Sequence, residues 1–305
     1  MTGRLLFTFP GQGPQYAGML ADIPNRSHWL QRAQEALRRD LSHLDEAASL
    51  NSTENVQLCL LLSGVAHAED LIDRGMRPDM TCGLSIGAYA AAAAAGALRF
   101  EDAVRLVSLR GRLMQEAYPT GYGMMAVLGL SLRAVEAVCG QVDESFVANY
   151  NAESQTVVSG SLAALDAVRR LALEAGASNC VRLKVAVPSH CALMKDAAEK
   201  LKAAFSRIEL ARPLTAYLSG STGRVLWQPE KIADDLIWNM ARRTQWHEAM
   251  VSAAERNVRL AVEMPPGSVL TRLTASADSR LRAVCVQETA AADIRLLFES
   301  LGPEP

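Results

Sequence analysis

The chain of 305 residues is short of several things that would narrow its function at once. It has no excess of charge. Lys plus Arg number 31 and Asp plus Glu 33, a net −2 at pH 7, so composition points to neither nucleic acid nor an anionic membrane surface as a partner. It has no C-x-x-C pair: Cys59, Cys82, Cys139, Cys180, Cys191 and Cys285 stand apart, and no Cys/His group has zinc-ligand spacing. No metal site is therefore expected, and reduced thiols in a cytoplasmic protein are. Long apolar runs are missing too. Residues 5–9 are too few for a signal sequence, and the alanine-rich run 86–98 falls short of the roughly 20 residues that cross a bilayer. No repeat recurs at a period of about 20–50 residues. What remains is bulk: 50% hydrophobic and 21% charged residues, enough at this length for a large core and for two domains or one domain with an insertion.

Short apolar strands alternate with helical patterns. Residues 5–9 read as a strand stopped by Pro10-Gly11, and 29–39 as a helix. Ser52-Thr53-Glu54 caps a long helix that Gly75 closes. A short buried strand at 81–84 runs into the alanine helix, and 101–117 form another helix. This order predicts an α/β fold with a mostly parallel, hydrolase-like sheet. The middle differs. Strand 124–128, helix 132–139, strands 146–150 and 156–159, helix 162–173 and strand 179–187 give β-α-β-β-α-β, a ferredoxin-like unit. Residues 122–187 thus read as an inserted small domain, with 1–121 and 188–305 forming the large one. In the last stretch, helices are expected at 192–205, 232–240, 245–255 and 269–276, and strands at 214–219, 259–263 and 281–286.

Gly83-Leu84-Ser85-Ile86-Gly87 is G-x-S-x-G between a strand and a helix. In that context a sharp turn exposes the Ser85 hydroxyl, the glycines remove side chains that would clash, and the helix N-terminus offers free N–H groups to an oxyanion. The plain alternative is a Gly/Ser turn that starts a helix. Pro10-Gly11-Gln12-Gly13 follows the first strand, and the Gln12 and Ile86 amides could together form an oxyanion hole. A base must come from His28, His43, His67, His190 or His247. The first three read as surface residues. His247 lies within a helical pattern and His190 in a loop after a strand, which favours His190 without excluding His247.

These residues resemble the malonyl-CoA:acyl-carrier-protein transacylases along nearly the whole chain. Phe9-Pro10-Gly11-Gln12-Gly13 is similar to their N-terminal signature, and 83–87 to their nucleophile elbow. Gln57 matches a site-lining glutamine, and the segment Arg110 to Gln115, including Met114, the one whose arginine holds the malonyl carboxylate. Asn149-Tyr150-Asn151 and Gln155 match a cleft-facing part of the small domain. The segment around His190 matches the one with the catalytic histidine, and Asn239 falls where a Gln or Asn carbonyl orients it. Pro266-Gly267-Ser268-Val269-Leu270 matches a C-terminal loop and helix. Leu84 and Ala88 stand where the family has His and Glu. This Gly-Leu-Ser-Ile-Gly-Ala version looks like the acyltransferase (epsilon) subunit of malonate decarboxylase.

The resemblance implies transfer of malonyl from malonyl-CoA, as substrate rather than cofactor, through malonyl-Ser85 to a carrier thiol. The carrier would be that of malonate decarboxylase or, alternatively, the acyl carrier protein of fatty-acid synthesis. His190 would be the base, Asn239 its orienter, Gln12 and Ile86 the oxyanion donors, and Arg110, Met114, Gln57, Asn151 and Gln155 the substrate contacts; no bound cofactor is implied. One rival is a serine (thio)esterase in which His247 works with Asp234 or Asp235. Another is a non-catalytic carrier-docking subunit, hinted at by Leu84 and Ala88. Replacing each histidine separates the first two: the transacylase reading expects His190→Ala to lower acyl turnover by ~10³-fold and His247→Ala to leave it near wild type. Acyl turnover that survives His190→Ala but not His247→Ala would reverse the assignment.

Overall fold

The computed structural model describes residues 3–301. The chain begins at β1 (Arg4–Phe9), whose Leu5, Leu6, Phe7 and Phe9 are all buried. Apolar burial on both faces marks a central strand covered by helices on each side. After α1 (Arg26–Leu37) comes α2 (Thr53–Asp73), where the Ser52 hydroxyl accepts the Asn55 amide as N-cap. The α2 helix is buried around much of its circumference, as expected of a helix inside a large core. Strand β2 (Met80–Gly83) turns directly into α3 (Gly87–Ala94), and α4 (Phe100–Ala117) follows. Ala90, Ala91 and Ala92 are fully packed. Their small side chains let α3 lie close to Gly64 of α2, where an added Cβ would press on Phe9 and Ala90.

The small unit contains β3 (Tyr122–Leu128), α5 (Leu132–Cys139), β4 (Ser145–Ala152), β5 (Gln155–Ser161), α6 (Leu162–Glu174) and β6 (Asn179–Arg182). The chain then passes through α7 (Lys195–Phe205), β7 (Ala216–Leu218), β8 (Val225–Leu226), α8 (Pro229–Trp238), β9 (Thr244–Gln245) and α9 (Trp246–Glu255). It ends with β10 (Val258–Glu263), α10 (Val269–Ala277), β11 (Arg282–Cys285) and α11 (Ala291–Ser300). The large sheet has order β11-β10-β1-β2-β7-β8, parallel except for the antiparallel edge strand β8. The small sheet has order β6-β3-β5-β4-β9, and its first four strands are antiparallel in the ferredoxin-like arrangement. The fold is therefore α/β, a mostly parallel hydrolase-like sheet joined to a small ferredoxin-like one.

Four features differ from the sequence expectation. Strand 179–187 ends at Arg182, with one last bond from the Leu183 amide to the Met124 carbonyl, and the chain then runs on to Pro188 outside the sheet. The helix expected at 192–205 opens with a separate turn at Ala192–Met194 before α7. The two-residue strands β8 and β9 and the helix α11 were not anticipated; two residues carry no periodicity. Most consequentially, β9 lies far beyond the small unit in sequence yet pairs parallel to β4, Asn149 opposite Thr244 and Tyr150 opposite Gln245.

This topology places the β1 and β2 exits side by side, because Phe9 and Gly83 are register partners. Ligands of open parallel sheets bind outside such carboxyl ends. A Cβ on Gly83 would collide with the Gly87 carbonyl group, and one on Gly87 with the Phe9 carbonyl oxygen. Neither neighbour is a side chain that could swing aside. Gly87→Ala is therefore expected to destabilise the fold by roughly 3 kcal/mol, the upper part of the overpacking range. Urea unfolding of the variant with an unchanged midpoint would show that the turn is looser than described.

Candidate active site

The turn between β2 and α3 holds Ser85 at φ 56°. A non-glycine residue in the left-handed region stores on the order of 1–3 kcal/mol, held here by the packing of Gly83 and Gly87. Ser85 lines a cleft of about 360 Å³ between the two sheets. Gln12, Asn149, Asn151, Gln155 and His190 line the same cleft. The candidate nucleophile and base thus share one cavity. Among the described residues, the amides of Gln12 and Ile86 have no hydrogen-bond acceptor, so both remain available as oxyanion donors.

His190 is buried and itself left-handed, at φ 63°. Its amide donates to the Met240 carbonyl at 2.6 Å, and the preceding Ser189 carbonyl accepts from Ser159 Oγ at 2.6 Å. Its Nδ1 lies 2.6 Å from the main-chain carbonyl of Asn239. A carbonyl can only accept, so Nδ1 carries the proton and Nε2 is the basic nitrogen. Burial, with the Arg110 charge as the second cause, pushes the imidazole down to about 4 against the opposing pull of the Asn239 and Arg242 carbonyls.

Arg110, Gln57, Met114 and Asn239 sit beneath the cleft rather than on its wall, and all are buried. Arg110 is fully buried, not the solvated helix residue that composition alone would suggest. Its Nη1 donates to Gln57 Oε1 at 2.8 Å, and its Nη2 to Ser85 Oγ at 3.2 Å and to Asn239 Oδ1 at 3.1 Å. Its Nε has no partner. Gln57 Nε2 in turn donates to Gln12 Oε1 at 3.0 Å and to Met114 Sδ at 3.5 Å. No carboxylate is bonded to this guanidinium among the described residues. Burial alone holds it below the usual arginine range, to about 10, so it stays a cation at neutral pH.

The rival histidine is placed elsewhere. His247 is buried, not on a helix surface, and stacks edge-on against Tyr150 with ring centroids 5.0 Å apart. Its Nδ1 has no partner, and it does not line the cleft. Asp235 accepts from Tyr217 and Ser219, each at 2.7 Å, while Asp234 pairs with Arg242. Neither aspartate is bonded to a histidine, so the alternative triad is not assembled. His67 is half-buried, with Nδ1 on the Ser63 carbonyl, rather than on the surface. The six thiols are free and buried; Cys191 Sγ turns to the Pro188 carbonyl, away from a nucleophilic role.

Sequence reasoning missed Arg182 and Lys184 on the cleft wall, and Thr244, whose hydroxyl lies 3.3 Å from His190 Nδ1. The first two belong to a stretch read as plain strand. Thr244 becomes visible only through strand pairing.

The acyl transferase domain family matches residues 6–292. The chain belongs to that family. It is 36% identical over 300 residues to a malonyl CoA-acyl carrier protein transacylase of Haemophilus influenzae, covering 94% of this chain and 96% of that one. The Escherichia coli K12 protein of the same name is also 36% identical, with 94% and 97% covered. A solved malonyl CoA-acyl carrier protein transacylase of Coxiella burnetii superposes with TM-score 0.92 at 31% identity, covering 99% of each chain. A malonyl-transacylase solved in complex with a type II polyketide acyl-carrier protein superposes with TM-score 0.90 at 33% identity, covering 97% of this chain and 99% of that one. As an acyltransferase, the chain is thus similar to transacylases. These relatives back the transacylase alternative better than the malonate decarboxylase subunit suggested by Leu84 and Ala88. Among the described residues no helix is long and apolar enough to cross a membrane.

An imidazole held neutral down to about pH 4 should leave the free-enzyme rate flat through the ordinary histidine range. Below its ordinary pKa an unfolded chain binds this proton while the folded one does not, so stability should also fall from about pH 6.5 to about 4 and then level off. A pH profile of kcat/KM for acyl transfer should show its acid limb near 4; a limb centred at the ordinary histidine value would mean that His190 is solvated.

Proposed function

We propose that the chain is a cytoplasmic malonyl-CoA:acyl-carrier-protein transacylase, with residues 122–187 as the small domain that walls its cleft. The carrying observation is Arg110: a fully buried cation with no carboxylate partner, bonded to the candidate nucleophile. A buried charge without a counter-ion is costly, and an incoming carboxylate relieves that cost. A guanidinium takes a carboxylate bidentately, and the unpartnered Nε adds a donor. An acyl group bearing a carboxylate close to its thioester is the matching ligand. The names of the relatives point to the same acyl group and to a carrier-protein acceptor.

The reaction is ping-pong. Ser85 Oγ attacks the thioester carbonyl while His190 Nε2 takes its proton, and the Gln12 and Ile86 amides receive the oxyanion. The C–S bond breaks and the CoA thiolate leaves with the proton from His190. The carrier thiol then attacks malonyl-Ser85, its proton passing to His190 and on to the Ser85 oxygen as the ester opens. In the resting site Ser85 Oγ accepts from Arg110, which leaves its own proton free to be given away. Arg110 acts a second time through charge: it depresses the imidazole, so a carboxylate bound to it strengthens the base in the complex. Malonyl selectivity should therefore appear in kcat as well as in KM.

Incubation with malonyl-CoA is expected to leave a malonyl adduct on Ser85, seen by intact mass and absent in Ser85→Ala. Acyl carrier protein should discharge it much faster than water does. An adduct lost equally fast to water would make the protein a thioesterase, and no adduct would make it a docking subunit. Arg110→Ala should lower the ratio of malonyl to acetyl transfer by ~10²-fold, the scale of a lost charged contact. Equal loss for both acyl groups would discard the carboxylate role.

A further inference from the structure

The Asn239 carbonyl is not alone at His190 Nδ1. Thr244, on β9, is buried, and its hydroxyl has one hydrogen-bond partner among the described residues: Nδ1, at 3.3 Å. A buried hydroxyl is out of place on a strand where valine would pack as well, unless its polar atom is used. Because the Asn239 carbonyl requires the proton to sit on Nδ1, Thr244 Oγ1 meets that same N–H as a second acceptor. Thr244 is also the register partner of Asn149, a cleft-lining residue on β4. The short chain from Asn239 to Thr244 therefore touches the imidazole twice, grips its main chain through Met240, and ends as an edge strand of the small sheet.

We propose that Thr244 is a positioning residue for His190, sharing the Nδ1 proton with Asn239 and tying the base to the strand that carries Asn149. The Arg242 carbonyl also favours the charged ring; Thr244 is the side-chain acceptor in this group, and with the Asn239 carbonyl its hydroxyl fixes the ring plane as well as the tautomer. They also favour the imidazolium that forms when Ser85 gives up its proton. The charged groups around the ring do not replace this. Arg110 approaches from α4, Arg182 and Lys184 stand on the cleft wall, and the Glu136–Arg243 ion pair lines a groove behind the ring. Of these only Glu136 is an acid, and it is already paired. The proposal rests on His190 being the base of the function proposed above.

Thr244→Val removes the hydroxyl at nearly constant shape, and Thr244→Ser keeps it. Rapid-quench acylation by malonyl-CoA is expected to slow about fivefold in Thr244→Val, the loss of one hydrogen bond, with KM unchanged and the rate restored by Thr244→Ser. In histidine-labelled protein without substrate, the His190 resonance of Thr244→Val should titrate at lower pH than wild type, since an acceptor that favours the charged ring is gone. Wild-type rates and titration in Thr244→Val would overturn the proposal, as would Thr244→Ser behaving like Thr244→Val. The titration needs no turnover. A wild type that never acylates would sink the proposed function while the Thr244 comparison could still be read from the resonance.

Discussion

The site depends on a guanidinium removed from water. Arg110 is fully buried and its two terminal nitrogens are held by Gln57, Ser85 and Asn239, all neutral, with the Tyr89 ring 5.9 Å from its charged carbon. Each partner comes from a different element: Gln57 from α2, Ser85 from the β2–α3 turn, Asn239 from the end of α8. The cation therefore organises three segments far apart in sequence. The ion pairs on the surface contribute little by comparison, about 0–1 kcal/mol each. Removing this cation would leave the buried oxygens of Gln57 and Asn239 and the half-buried Ser85 hydroxyl without their donor, which is why its loss would be felt beyond substrate binding.

The neighbouring elements explain how such a charge is tolerated. The helices carrying Gln57 and Arg110 are clamped at Glu54, whose carboxylate accepts from Ser108 at 2.6 Å and Arg112 at 3.0 Å and pairs with Arg39. Gly111 lets α4 approach the Glu54 backbone, where a side chain would not fit. On the other side Glu263 accepts the Leu270 and Thr271 amides and so caps α10, which supplies Val269, Leu270 and Leu273 to the cleft wall. Both acids lie outside the cleft, so they stabilise the frame without neutralising Arg110.

Much of this was legible in the residues. G-x-S-x-G between a strand and a helix announces the turn because backbone contact forbids side chains at Gly83 and Gly87. The ferredoxin-like unit shows as alternating periods over six elements. What stayed hidden was the work of segments without a period. Residues 239–245 give no local signal for β9, and neither does the main-chain carbonyl that receives His190 Nδ1. The place of His247 was hidden as well, because helical periodicity counts faces but cannot see Tyr150 arriving from another sheet. Arg110 was distinguishable from the other basic residues only through family resemblance, since burial of a charge is a tertiary fact.

Asn239 shows why the site uses an amide where many serine enzymes use a carboxylate. Its backbone carbonyl orients His190, its side-chain oxygen accepts from Arg110 at 3.1 Å, and its side-chain nitrogen donates to the Ser85 carbonyl at 3.3 Å. An aspartate at this position would raise the basicity of the imidazole, as a triad acid does. It would also place an anion on Arg110. The resulting buried pair would satisfy the guanidinium permanently and remove the reason for a carboxylate-bearing acyl group to bind there. It would also lose the donor to the Ser85 carbonyl and set a negative charge near the developing oxyanion. A neutral group that orients the base by main-chain contact avoids all three effects. The histidine is left a weak base at rest, and in the function proposed above an anionic acyl group seated on Arg110 would supply the missing negative charge.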